Sequence, residues 1–252
     1  MRHTLLLAIA AVSLSASPLT DTNFIQQVYL DVLDRPADPT ALATGVGFLA
    51  SNSRQMYALT IVLHSDEYRT DLVSSYFQSY LSRTPSSGEA VSGLSFLSGG
   101  GTDQELQTTL LGSLEYFGDH GNDNTTFVES LYSKLLNRPG TSLEVLPFVS
   151  LLTSASATRS EVSSKLLSTT EYEQDLLNSY LQQYLHRSFA SPDTPFLLQL
   201  EGAVPNELVQ SEILGSQEYY DLAQQEQTPE PATWAFTITG LIALFLRRKR
   251  RF

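Results

Sequence analysis

The chain has no cysteine in 252 residues, so disulfides play no part in holding it together. Basic residues are scarce, at 15 Lys and Arg against 27 Asp and Glu, and six of the 15 stand in the two tails. Residues 18–227 therefore carry nine basic and 26 acidic side chains, a net charge of −17. Such a surface repels phosphates and anionic headgroups, which excludes nucleic acid as a partner. It suits a hydrated exterior, or cations bridging it to acidic polysaccharide.

Recognisable chemistry is absent as well. No GxSxG, P-loop or GxGxxG occurs between a strand and a helix. His64, His120 and His186 are scattered, without HxxxH or His-carboxylate ligand spacing. Asp119, Asn122, Asp123 and Asn124 lack the order and the closing glutamate of a calcium loop. The expectation is no catalytic residue, no metal and no cofactor. Sustained period-two alternation is missing too, and the expected fold class is all-α.

What is present begins with the tails. Pro229 and Pro231 flank Glu230 and fix an extended, non-helical stretch. Trp234 opens an uncharged run to Leu246. Thirteen helical residues reach about 20 Å, short of a hydrocarbon core of roughly 30 Å. Arg247, Arg248, Lys249, Arg250 and Arg251 follow as a basic stop that stays on the cytoplasmic side. The order Pro-Glu-Pro, Trp, apolar run, Arg cluster over residues 228–252 resembles the PEP-CTERM sorting signal of Gram-negative bacteria. The resemblance implies an exosortase-type protease as partner, transient insertion in the inner membrane, and removal of the tail on the way to the cell surface. An ordinary single-pass anchor is the alternative. At the other end, Arg2 and His3 precede an apolar run from Leu5 to Leu14 and the small residues Ser15, Ala16 and Ser17. This predicts a signal peptide over residues 1–16, cut between Ser13 and Ala16.

Between the tails, four phrases recur: YLDVLDR, FQSYLSR, YSKLLNR and LQQYLHR. They end on Arg35, Arg83, Arg138 and Arg187. A second set, SDEY, SLEY, TTEY and SQEY, carries Glu67, Glu115, Glu171 and Glu218 and ends on Tyr68, Tyr116, Tyr172 and Tyr219. Arginine-to-tyrosine separations of 33, 33, 34 and 32 residues mark an internal repeat of about 50 residues. Ahead of the first arginine stand Phe24, Ile25, Val28, Tyr29, Val32 and Leu33, and the other copies repeat this four-residue step with apolar or aromatic side chains at all 24 positions. That is the buried stripe of an amphipathic helix.

Each of these helices is expected to stop just after its arginine, where Pro36, Pro85 and Pro139 follow in three copies. A second helix starts near Pro39 under Asp38, with counterparts near Gly88 and Leu143. A third covers Gln55–Leu63, with counterparts at Glu105–Leu111, Glu161–Leu167 and Glu207–Leu214. Ser65, Ser113, Thr169 and Ser216 are natural N-caps that put the four glutamates in a first helical turn. The polar stretch 118–126 reads as a linker between two pairs, residues 21–117 and 127–223. Over residues 23–222 the pattern resembles a bacterial helical repeat family catalogued only as a domain of unknown function and distantly similar to phycobilisome linker domains. The resemblance implies a surface or scaffold role and brings no catalytic residues.

The recurring Arg and Glu are the sharpest candidates for a carboxylate or sugar site, but four copies in step argue for architecture. The expected function is a non-enzymatic protein of the cell surface or extracellular matrix, in contact with exopolysaccharide or other surface proteins. The alternatives are an envelope enzyme acting on polysaccharide, which needs two carboxylates converging at about 5–10 Å, and a single-pass membrane-anchored protein.

Overall fold

A computed structural model describes residues 17–227, and within them the protein is all-helical, with 14 α-helices and no strand. The signal peptide and the Pro-Glu-Pro tail, from Pro229 to Arg251, lie outside the described residues. Among the described residues no helix is long and apolar enough to cross a membrane.

The first half runs α1 (Ser17–Leu33), α2 (Pro39–Leu49), α3 (Arg54–Tyr57) prolonged by a π-helical turn (Ala58–Leu63), α4 (Asp66–Leu81), α5 (Ser87–Ser98), α6 (Asp103–Leu111) and α7 (Leu114–Asp119). The second half runs α8 (Asn124–Leu135), α9 (Ser142–Thr153), α10 (Arg159–Leu167), α11 (Thr170–Leu185), α12 (Thr194–Glu201), α13 (Asn206–Leu214) and α14 (Gln217–Glu226).

Local chemistry explains most of the starts. Ser65, Ser113, Thr169 and Ser216 each accept the amide N–H of the tyrosine three residues on, at 3.1–3.3 Å. Asp38 accepts from Thr40 and Ala41 at the head of α2. Ser86 with Glu89, Thr102 with Glu105 and Thr158 with Glu161 close reciprocal capping boxes. The polar stretch before α8 supplies Asp123, whose carboxylate caps that helix through Thr125 and Thr126.

The helix ends differ from expectation. The stripe helices stop before the arginine, at Leu33, Leu81, Leu135 and Leu185. In each case the residue immediately ahead of the arginine is left-handed: Asp34, Ser82, Asn137 and His186, with φ of 49–53°. The reversal of the chain at that residue, and not the proline beyond the arginine, ends the helix. A left-handed residue with a Cβ costs about 1 kcal/mol. Ser82→Gly is therefore expected to stabilise the protein by about 1 kcal/mol, read as a rise in the thermal midpoint with the helical circular dichroism unchanged.

Of the 24 stripe positions, 20 are buried and four are partly exposed. The buried ones feed two cores that do not follow the order of the chain. In one, Phe24, Ile25 and Val28 of α1 meet Leu177 and Leu181 of α11, Ile213 of α13 and Tyr219 of α14. In the other, Val73 and Phe77 of α4 and Leu110 of α6 meet Phe127 and Leu131 of α8 and Leu166 of α10. The first core thus joins the beginning of the chain to its end, and the second joins the middle. Phe24 is the hub of the first, with ring centroids 6.0 Å from those of Tyr57, Tyr219 and Tyr220. Burial of such a ring contributes about 2–3 kcal/mol.

The halves interlock reciprocally. The Cα of Gly112, after α6, lies so close to α10 that a Cβ there would sit 2.8 Å from the Ser160 backbone. Gly215, after α13, meets the Gln55 backbone of α3 at 2.6 Å in the same way. Only a residue without a Cβ allows either approach.

Candidate functional site

Each recurring arginine grips its glutamate through two hydrogen bonds. Arg35 holds Glu67 at 2.5 and 2.7 Å, and Arg83, Arg138 and Arg187 hold Glu115, Glu171 and Glu218 at 2.5–2.9 Å. The fork matches the carboxylate in plane. Each guanidinium also donates to the carbonyl of the next residue, at 3.1–3.3 Å. Three of them lie over the ring six residues earlier, Tyr29, Phe77 and Tyr132, at 5.1–5.4 Å. The clasp ties the end of one stripe helix to the first turn of the helix that carries the glutamate.

A second carboxylate, unnoticed in the sequence, joins three of the four clasps. Glu89, Glu144 and Asp193 each stand six residues past the arginine and bind its free edge at 2.7–3.2 Å. Glu89 and Glu144 also accept from the backbone N–H of Ser86 and Thr141. Their arginines, and then these caps, hold both carboxyls down to about 2. In the first copy that position is Ala41, and Asp38, the cap of α2, acts on Arg35 through its charge at a distance, without a hydrogen bond to it. The signal for the second carboxylate was the Ser86-x-x-Glu89 and Thr141-x-x-Glu144 capping boxes. Every clasp is satisfied within the chain.

The four repeated tyrosines go elsewhere. Tyr116, Tyr172 and Tyr219 are buried at 0, 9 and 1% exposure, whereas Tyr68 is partly exposed. Tyr116 accepts from Ser130, and Tyr219 donates to Asp31 at 2.7 Å. Tyr68 and Tyr172 enter a polar cluster at the junction of the two cores. There Gln107 accepts from Tyr80 at 2.6 Å and Tyr172 at 3.0 Å, and Gln210 accepts from Tyr184 at 3.4 Å and Tyr68 at 3.2 Å. Each glutamine thus takes one hydroxyl from its own half and one from the other. Tyr76 stacks on Tyr80, and Tyr180 on Tyr184, at 5.8 and 6.2 Å.

Asp103 lies beneath, only 3% exposed. It accepts from Tyr76 at 3.1 Å, Asn206 at 2.8 Å and the Gln104 amide at 2.9 Å. Desolvation, then the nearby Glu207, pushes its carboxyl up to about 6. Burial raises Glu207 as well. These two acids form a pair raised by burial, but the oxygens of Asp103 are taken up by donors from the protein itself. Glu173, also 3% exposed, is pushed up to about 7 by its burial and then by Glu201. The sequence signal for this cluster was Asp103-Gln107 echoed 103 residues later by Asn206-Gln210.

Above the cluster opens a cleft of about 450 Å³ between α4 and α11. Tyr68, Tyr76, Tyr180, Tyr184 and Gln210 line it, with Asp71, Ser75 and Gln183 among the polar side chains around it and Val32, Leu72 and Leu176 as apolar wall. From the sequence, packing is the first explanation of Tyr76, Tyr180 and Tyr184, which stand on the buried stripe, and Tyr68 reads as a structural anchor of the repeat. Among the described residues no group of three or more His, Asp or Glu is placed to hold a metal ion. Comparison of the chain with protein-family models, curated proteins and solved structures finds no match.

Proposed function

We propose that this is an exported, non-enzymatic protein of the cell surface or extracellular matrix, built from four helical repeats of about 50 residues and acting as a scaffold or binding module. The observation that carries the reading is the pairing of two tail signals, an N-terminal signal peptide and the Pro229-Glu230-Pro231, Trp234, Arg247–Arg251 sequence, around a strongly acidic, cysteine-free body. The resemblance of the tail to PEP-CTERM signals adds an exosortase-type protease as processing partner and the inner membrane as a station in transit. Exopolysaccharide or other surface proteins are the partners that await it outside. The use of the repeated arginines and glutamates in intramolecular clasps supports a structural role for them rather than a catalytic one.

The test is the intact mass of the protein recovered from its native host, from membrane and matrix fractions separately. The expected species lacks residues 1–16 and the part of the chain beyond the Pro-Glu-Pro triplet, and it is found in the matrix fraction. A membrane-bound species still ending at Phe252 overturns the sorting reading and makes the tail an anchor.

A further inference from the structure

We propose that the cleft between α4 and α11 binds the pyranose rings of a neutral polysaccharide, a proposal that rests on the surface or matrix reading above. The core stripe fails to be buried in one place. The four partly exposed positions among its 24 are Val32, Leu72, Tyr76 and Leu176, and all four line this one cleft. Imperfect packing would leave exposed positions scattered among the helices. Here they converge from three helices, α1, α4 and α11, at the seam between the two cores.

Tyr68 points to the same place. Of the four tyrosines that end the recurring Glu-Tyr phrases it is the one that reaches solvent, and it too lines the cleft. Its hydroxyl donates to Gln210, so what the partly exposed ring offers a ligand is its apolar face.

The chemistry of the lining suits a sugar. Tyrosine rings stand beside the exposed side chains of Asp71, Ser75 and Gln183. The Gln183 amide donates to the Asp31 carbonyl and the Ser75 hydroxyl to that of Leu72, which leaves their oxygens and the Asp71 carboxylate as acceptors, while Gln210 is taken up by Tyr68 and Tyr184. A sugar ring can use this combination: an apolar surface for its C–H face, and acceptors for its hydroxyls. A few polar groups on a largely apolar wall, in a volume of about 450 Å³, is the usual form of a small-ligand site.

Charge selects among sugars. Among the described residues no Lys or Arg lines the cleft, Asp71 is the carboxylate at its rim, and residues 18–227 carry a net charge of −17. Uronic acids, phosphates and sulfates are repelled from such a place. A neutral glycan is not.

The experiment is calorimetric titration of the full chain with three neutral hexasaccharides, built of glucose, mannose and N-acetylglucosamine, and with alginate as the anionic polymer. Ser75→Trp fills the mouth of the cleft from an exposed position, and Asp71→Ala removes a rim acceptor, also exposed, without adding bulk. At least one neutral hexasaccharide is expected to bind. Its affinity should fall at least tenfold in Ser75→Trp and severalfold in Asp71→Ala, with both variants melting where the parent does. If Ser75→Trp fails to fold, Asp71→Ala carries the comparison alone. Absence of binding by all three sugars, preference for alginate, or affinity unchanged in the folded variants overturns the assignment. The fractionation and mass measurement is independent of these titrations, so a dry cleft in a correctly exported protein refutes the sugar site and leaves the surface reading standing.

Discussion

Residues 17–122 produced alone are expected not to fold as a monomer. Phe24, Ile25 and Val28 of α1, with Tyr57 and Val62 that follow, are at 0% exposure, and the partners that cover them, Leu177, Leu181, Ile213 and Tyr219, belong to the second half of the chain. Cutting between α7 and α8 also uncovers Val73, Phe77, Leu110 and Leu111 of the second core. About ten large apolar side chains would return to water at roughly 1.5–3 kcal/mol each. That exceeds the 5–15 kcal/mol of an ordinary domain. Mixing the fragment with residues 123–227 is expected to restore native helicity in a one-to-one complex. The fragment alone is expected to remain unfolded or to pair with a second copy of itself, because each half offers a surface shaped for its counterpart. Light scattering coupled to size exclusion, with circular dichroism on the same fractions, decides between these. A monomeric, cooperatively melting fragment would show that the chain divides at residues 118–126 into independent units.

The way the two cores cross the chain also marks how far the sequence could be read. The stripe from Phe24 to Leu33 and its three echoes were legible because a 3.6-residue period leaves a clear trace of which face is covered. Ser65, Ser113, Thr169 and Ser216 were legible as caps because capping is a contact within four residues. What covers the stripe was not legible. Periodicity reports that Phe24 is buried and is silent on whether Tyr219, 195 residues away, is what buries it. The polar run 118–126 drew attention to a boundary in the chain, whereas the two cores both cross it.

The candidate site divides in the same manner. Arg35 and Glu67 stood out because both recur in register, and the third member of the later clasps, Glu89 or Glu144, stayed hidden because a capping box already accounts for it locally. The left-handed residues at 34, 82, 137 and 186 have no shared side chain. Asp, Ser, Asn and His meet there on backbone geometry alone. The tyrosine cleft was least legible. Tyr76 and Tyr180 sit on the stripe like any core aromatic, and only the cleft that α4 and α11 line together shows that the stripe surfaces there.

Asp103→Asn is expected to change the pH dependence of stability more than its value at low pH. The carboxyl of Asp103 is pushed up to about 6 by its burial and by Glu207, from an ordinary value of 3.8. A group whose folded value lies above its unfolded value contributes stability that is complete below about 4 and is lost as pH rises through about 6. The loss across that window is about 3 kcal/mol. Glu89 and Glu144, held down to about 2, act in the opposite sense: their contribution is present above their ordinary 4.5 and disappears as pH falls towards 2. The parent protein should therefore be most stable between about pH 4 and 5 and should weaken towards pH 8. In Asp103→Asn the alkaline decline shrinks by about 3 kcal/mol, while the acid limb, which belongs to the clasps, remains. The substitution preserves shape, retains an oxygen for Asn206 or Tyr76, and brings an amide donor beside Asn206, whose Oδ1 is buried without a partner. Urea midpoints at pH 4.5 and 8 for both proteins measure the effect. Parallel pH profiles would mean that Asp103 is ionised in the folded protein, with the hydrogen bonds of Tyr76, Asn206 and Gln104 outweighing the cost of its burial.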